Sequence, residues 1–547
     1  MSGACSSAEP PQQVDYVNGC RGVPLSTTDP SGGEQVIEEP VQPVRHGPAD
    51  QAETRRESRR AVKAAGALAA SSITATVIGL GSTKAVAAIY GPRGTGTLGL
   101  LAGAYSFVAL VLSLGVDQGG TKAIAETNGV DPERHAAVVR TTIVLTAVLG
   151  LAGAVVTLIA APLIARLLTG KPGLSGDIRA LSIVVGLTIA SGGPAAYLHG
   201  TRQVVRYAAA APLASIVATV FSVIALVIGV NLVWSVLVIA QLISTGTILV
   251  IGRRAFAVAR APRARVSRHE SRKIVTLGLV FVTGSLALTA SALGLRVLIT
   301  RRLGLAATGV FQAGFGATAT ASAFLLQALT VDYYPRLAQT GRDDTRTNEV
   351  VNHQLEFSLN MVAPIALAAV LFAPVGIELL YSHKFLPGVH LAQIFALGEF
   401  MRVIAWCIGF VLVVREAKRA FLLTQFINAV TPIIISFALL PVFGLTACAI
   451  ADVSTQALML ICVTVLAFRC TGFHMSRNAV RRMAMLWAAC LAAIVAGDWS
   501  HGWAVQAALL GTVSVFSIRQ FAGEFDSTPR LLVLRALRKL SITRRSR

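Results

Sequence analysis

Charge is what this chain has least of. Only 14% of its 547 residues are Asp, Glu, Lys or Arg, where a soluble domain carries about 25%, so a water-soluble globule is excluded. Cysteine is also scarce. The seven present, Cys5, Cys20, Cys407, Cys448, Cys462, Cys470 and Cys490, form no C-x-x-C pair, which argues against a disulfide framework and a thiolate zinc site. His, Cys, Asp and Glu nowhere cluster at metal-ligand spacing, and no apolar stretch precedes "MSGAC" as a signal peptide requires. A membrane enzyme needs a roomy loop carrying acids or histidines. The longest loop on the less charged side is about a dozen residues without a paired acid. No catalytic residue, metal or cofactor is therefore assigned.

What remains is oil. Hydrophobic residues make up 54% of the chain and mean hydropathy is +0.66. Between Ala61 and Phe516 the apolar runs repeat, about 14 of them long enough to cross a bilayer core. Residues 1–60 are instead polar and rich in Pro, Ser, Gly and Glu, a disordered tail by composition. Net charge is +21, which would suit nucleic acid if the basic residues were gathered in one patch. They fall in alternate loops instead. "RRAFAVARAPRARVSRHESRK", "REAKR" and "RCTGFHMSRNAVRR" belong to one set; "GVN", "SHKFLPG" and "PVFG" belong to the other. The basic set, with both termini, is placed in the cytoplasm by the positive-inside rule. Topology accounts for the charge, and no nucleic-acid partner is expected. The C-terminal "PRLLVLRALRKLSITRRSR" reads as a basic amphipathic helix on anionic lipid, or as a frayed, solvated tail.

"YGPRGTGTLGLLAGAY", residues 90–105, has the glycine spacing of a phosphate loop at Gly91 and Gly96. Thr97 and Leu98 stand where Lys and Ser/Thr are required, and no strand precedes it. A turn is the better reading, because "LGLAATGVFQAGF" places Gly304 and Gly309 at a constant offset from Gly91 and Gly96. The chain thus reads as two homologous halves, pointing the same way because an even number of spans separates them. The glycine turn is the hairpin that opens each half, where φ > 0 costs glycine nothing.

The stretch "AIYGPRGTGTLGLLAGAYSFVALVLSLGVDQGGTKAIAE" resembles the first hairpin of Wzx-type polysaccharide and lipopolysaccharide flippases, members of the multidrug/oligosaccharidyl-lipid/polysaccharide exporter superfamily. The resemblance implies an all-α integral membrane fold of two parallel, pseudo-symmetric six-helix bundles around a central cavity, plus two C-terminal helices. The expected units are a tail (1–60), an N-terminal bundle (61–252), a basic linker (253–273), a C-terminal bundle (274–468), an extra helix pair (482–518) and a basic tail (519–547). The implied cargo is a polyprenyl-diphosphate-linked glycan flipped to the outer leaflet of the bacterial plasma membrane, with membrane lipids and polysaccharide-assembly proteins as partners. The same fold also serves cation-coupled drug antiporters.

Ionisable groups inside spans are costly and usually face a cavity. Lys84 and Arg296 lie roughly 9–12 Å below their glycine turns at 1.5 Å per residue, at nearly equivalent places in the repeat. Together they suit a diphosphate; the alternative is that each snorkels to the interface. Arg402 and Gln312 complete the candidate substrate contacts, although Glu399, one turn before Arg402, offers it an ion pair. Asp117 and Glu399 are the candidate ion-coupling acids. The other reading of Asp117 is an interfacial pair with Lys122 or Arg140.

Overall fold

The computed structural model describes residues 48–261, 265–497 and 503–520. The expected tails lie largely outside these residues, except that the first helix starts at Pro48 rather than at the compositional boundary near 61. In chain order the helices are α1 (Pro48–Ser113), α2 (Val116–Thr127), α3 (Pro132–Thr169), α4 (Ser175–Gly200), α5 (Val204–Val227), α6 (Ile239–Ile251) and α7 (Arg253–Ala259). There follow α8 (Arg268–Leu303), α9 (Leu305–Ala338), α10 (Asp344–Leu371), α11 (Ala373–Leu380), α12 (Val389–Val414), α13 (Lys418–Phe443), α14 (Thr446–Thr471) and α15 (Arg477–Ala496). A last helix, α16, covers residues 503–520.

Among the described residues twelve helical stretches are long and apolar enough to span a membrane. The first of them is interrupted at Gly91 into two arms, and α16 is a further helix outside the twelve, where about 14 spans were expected. Their exteriors carry large apolar side chains such as Ile159, Val227 and Val442, each more than 70% exposed. In a span, that surface belongs to lipid. The protein is a multi-pass membrane protein.

Local chemistry sets the helix ends. At the end bearing the basic loops, Asp131 caps α3 by accepting from the N–H groups of Glu133 and Arg134 at 3.1 and 3.0 Å, with Pro132 at the first helical position. Asp343 caps α10 in the same way, accepting from Arg346 N–H at 2.9 Å. Ser267 and Ser476 cap α8 and α15. At the opposite end the chain turns on glycine. Gly91 (φ 62°, ψ −159°) splits α1 into two arms, with Pro92 starting the second. Gly304 (φ 90°, ψ 171°) separates α8 from α9.

The repeat is written in these turns. Left-handed residues recur as Gly91 and Gly304, Gly129 and Gly341, Arg202 and Glu416, Gly229 and Gly444, at offsets of 212 to 215 residues. Packing recurs as well: the first arm of α1 lies in the helix that packs on α5, as α8 packs on α13; α3 packs on α4 as α10 on α12; α5 on α6 as α13 on α14. Gly96 and Gly309 hold the seam between the halves. A Cβ on Gly96 would collide with the Leu305 carbonyl oxygen, and one on Gly309 with that of Pro92. Small residues at a helix crossing let backbones approach this closely. At the basic end a second contact, Gly115 and Gly119 against Gly278 and Ile274, joins α2 to α8.

A candidate cavity site between and within the two halves

The seam holds the first cluster. Arg296 of α8 donates through Nε to Gln312 Oε1 of α9 at 3.2 Å, and through Nη1 to the Ala292 carbonyl at 2.8 Å. Its stem lies against the second arm of α1. A Cβ on Gly103 would sit 3.6 Å from Arg296 Cδ, and one on Gly99 would sit 3.1 Å from Gln312 Oε1. Two glycines of one half therefore face the other half here, Gly103 the arginine and Gly99 its glutamine partner. Arg296 and Gln312, named separately from sequence, are brought together.

Lys84 is placed elsewhere. Its ammonium donates to the Glu378 carbonyl in the last turn of α11 at 2.7 Å, so no contact joins it to Arg296 among the described residues. Asp117 occupies the first turn of α2, where its negative charge suits the helix N-terminus. Its Oδ2 accepts from Gln118 Nε2 at 3.3 Å, and no ion pair to Lys122 forms among the described residues.

A second cluster sits inside the C-terminal half. Arg402 places Nη1 3.0 Å from Glu399 Oε1 and Nη2 3.7 Å from Asp452 Oδ1. The Glu399 side chain is 4% exposed, and neither its oxygens nor Asp452 Oδ2 have a hydrogen-bond partner of good geometry. With both carboxylates ionised, one cation between them leaves a negative charge to be balanced. Beside Glu399, Thr318 and Ser322 line a cavity of about 30 Å³, room for a water or a small cation. Asp452 was not among the residues picked from sequence. The signal was available, since "ACAIADVSTQALML" carries a lone acid in an apolar span. What could not be read was that α12 and α14 are neighbours.

The N-terminal half contains a larger hollow of about 330 Å³, lined by Tyr105, Ser215, Gln241, Ser244 and Thr247 among alanines. A π-helical turn, Trp234–Val238, precedes α6 and supplies Val236 and Leu237 to its wall. Such turns often accompany functional sites. Among the described residues its lining offers hydroxyl and amide groups and no charged side chain.

The fold thus defines a class: a two-fold pseudo-symmetric bundle of membrane helices with a cation at the seam and polar hollows within. The model of the family described as "Polysaccharide biosynthesis protein" matches residues 87–390, and the chain belongs to that family. Its structure is similar to a solved inward-facing multidrug resistance MATE family transporter of the MOP superfamily (16% identity, 75% of this chain and 95% of that chain covered, TM-score 0.62). It is also similar to the lipid II flippase MurJ in an inward closed conformation (11% identity, 84% and 99% covered, TM-score 0.63). At these identities the likeness establishes the fold, and it agrees with the superfamily that the first hairpin resembles. No curated protein matches the sequence.

Proposed function

We propose that this protein is a flippase that moves a polyprenyl-diphosphate-linked oligosaccharide from the inner to the outer leaflet of the bacterial plasma membrane, for cell-surface polysaccharide. The observation that carries this reading is Arg296, a guanidinium held within the membrane at the seam of the two halves. A half-buried cation there suits an anionic head group, and the planar fork of arginine suits a diphosphate. The uncharged hollow lined by Gln241 and hydroxyls suits a neutral glycan. Family membership supports a place in polysaccharide synthesis, and the transporter-like fold favours carriage over catalysis. In this reading residues 61–252 and 274–468 act as two bundles joined by the basic linker 253–273, with both termini cytoplasmic. Membrane lipids and polysaccharide-assembly proteins are the partners.

The test is accumulation of the lipid-linked sugar on the inner leaflet of a complemented null strain. Arg296→Gln should abolish flipping at near-normal abundance, and Arg296→Lys should still impair it, because a point charge does not replace a bidentate fork. Normal surface polysaccharide in Arg296→Gln would refute the assignment. A second reading, cation-coupled antiport on the same fold, is favoured by the uncompensated Glu399, Arg402 and Asp452 cluster. Coupling and flipping are compatible. Under coupling, Glu399→Gln should remove the dependence of transport on an ion gradient while leaving binding of the lipid-linked sugar intact.

A further inference from the structure

Lys84 has a counterpart by role, and it is not Arg296. Lys84 belongs to the first span of the N-terminal half and donates to the Glu378 carbonyl, at the end of the third span of the C-terminal half. Arg301 belongs to the first span of the C-terminal half. Its Nη2 donates to the carbonyls of Arg166, at 3.0 Å, and Leu167, at the end of the third span of the N-terminal half. The two contacts are reciprocal across the pseudo-two-fold axis. Each places a cation on carbonyls in the last turn of a helix, where the macrodipole is negative; the Arg166 carbonyl also accepts from the Gly170 N–H. Both are at the glycine-turn end, the end that also holds the Gly96 and Gly309 crossing.

We propose that Lys84 and Arg301 are paired latches that hold the glycine-turn end of the protein closed, and that both bonds break when this end opens. A snorkelling side chain would be satisfied by any water or lipid phosphate. These two instead choose carbonyls on the opposite half, so opening the halves separates donor from acceptor on both sides at once. Both side chains are partly or fully exposed, which keeps each bond weak enough to break in a working cycle. Solvent exposure discounts such a charge-assisted bond to about the worth of an ordinary one, roughly threefold to tenfold in the closed-to-open ratio. The diphosphate contact then rests on Arg296 without Lys84. The inference builds on the transporter reading only in supposing that this end opens, and it is tested without substrate.

The experiment is hydrogen–deuterium exchange of the purified full-length protein in detergent, read in peptides covering residues 92–100 and 304–314. These helix starts have free amides shielded by the opposing half. Lys84→Met and Arg301→Met keep chain length and remove the donor. Each should raise exchange in both peptides by roughly threefold to tenfold, and the double variant should raise it further. Exchange in α12 and α14 should stay as in the parent. Lys84→Arg restores a charged donor and should return exchange to near the parental value. Unchanged exchange in the double Met variant would overturn the proposal, as would equal exchange in Lys84→Arg and Lys84→Met. The latch is read by exchange with no substrate present and the flippase reading by movement of the lipid-linked sugar, so failure of one is visible apart from failure of the other.

Discussion

At the scale of single residues, the seam is the least forgiving place. Gly96 and Gly309 face backbone atoms, which do not move aside as a flexible side chain does. Gly96→Ala or Gly309→Ala should therefore cost about 1–3 kcal/mol or more by overpacking, seen as a lower melting temperature in detergent. Gly79→Ala, whose Cβ would meet nothing within 4 Å, should be tolerated and serves as the control. A repeat offset was enough to single out these glycines, because the same residue type recurs where the same backbone demand recurs. Arg296 and Gln312 were legible because an ionisable or amide group in an apolar run is costly unless it is used. Lys84 could not be resolved the same way. Its depth in the span suits a cavity or a latch equally, and only the position of α11 distinguishes the two.

At the scale of helices, the basic end is tied by ion pairs between halves. Arg134 of α3 meets Glu270 of α8 at 2.9 Å, and Lys273 of α8 meets Glu126 of α2 at 2.7 Å. The hydrogen bond from Lys273, above all, holds the Glu126 carboxyl below its ordinary value, with burial opposing. A lowered carboxylate stabilises the folded state above its unfolded pKa, and the benefit is lost as pH falls through the folded value. The melting temperature of Glu126→Gln should accordingly lie below the parental one near pH 6, and the difference should shrink towards zero as pH falls below about 4. A difference independent of pH would show that the pair does not contribute. Helix existence was readable from hydropathy, whereas the Asp131 and Asp343 caps were not read from the sequence, where both residues fall in basic loops. Nor were the partners across halves, since Arg134 and Glu270 are 136 residues apart in the chain.

At the scale of the whole molecule, two halves repeat their turns and their packing, and the alternating basic loops give them a direction. Both termini should face the cytoplasm. Cysteine labelling from outside intact cells should reach a probe at His383, whose side chain is 81% exposed, and should miss one at the exposed His269. The reverse pattern would invert the topology. These sites are better probes than their neighbours, because Ser267 caps α8 and the Ser382 hydroxyl is buried. Two-fold architecture was visible in the glycine offset alone. The division of labour between halves was not: the charged cluster of Glu399, Arg402 and Asp452 lies in one half and the neutral hollow in the other. The halves share a backbone demand and differ in the side chains that face inward.

The central claim is that Arg296 carries an anionic, lipid-linked head group across the membrane. Its most direct test is transbilayer movement of a fluorescent polyprenyl-diphosphate oligosaccharide in vesicles containing the purified protein, with Arg296→Gln compared at equal incorporation. The account predicts movement with the parent protein, and with Arg296→Gln a rate reduced to that of protein-free vesicles. Equal rates for parent and variant would contradict it.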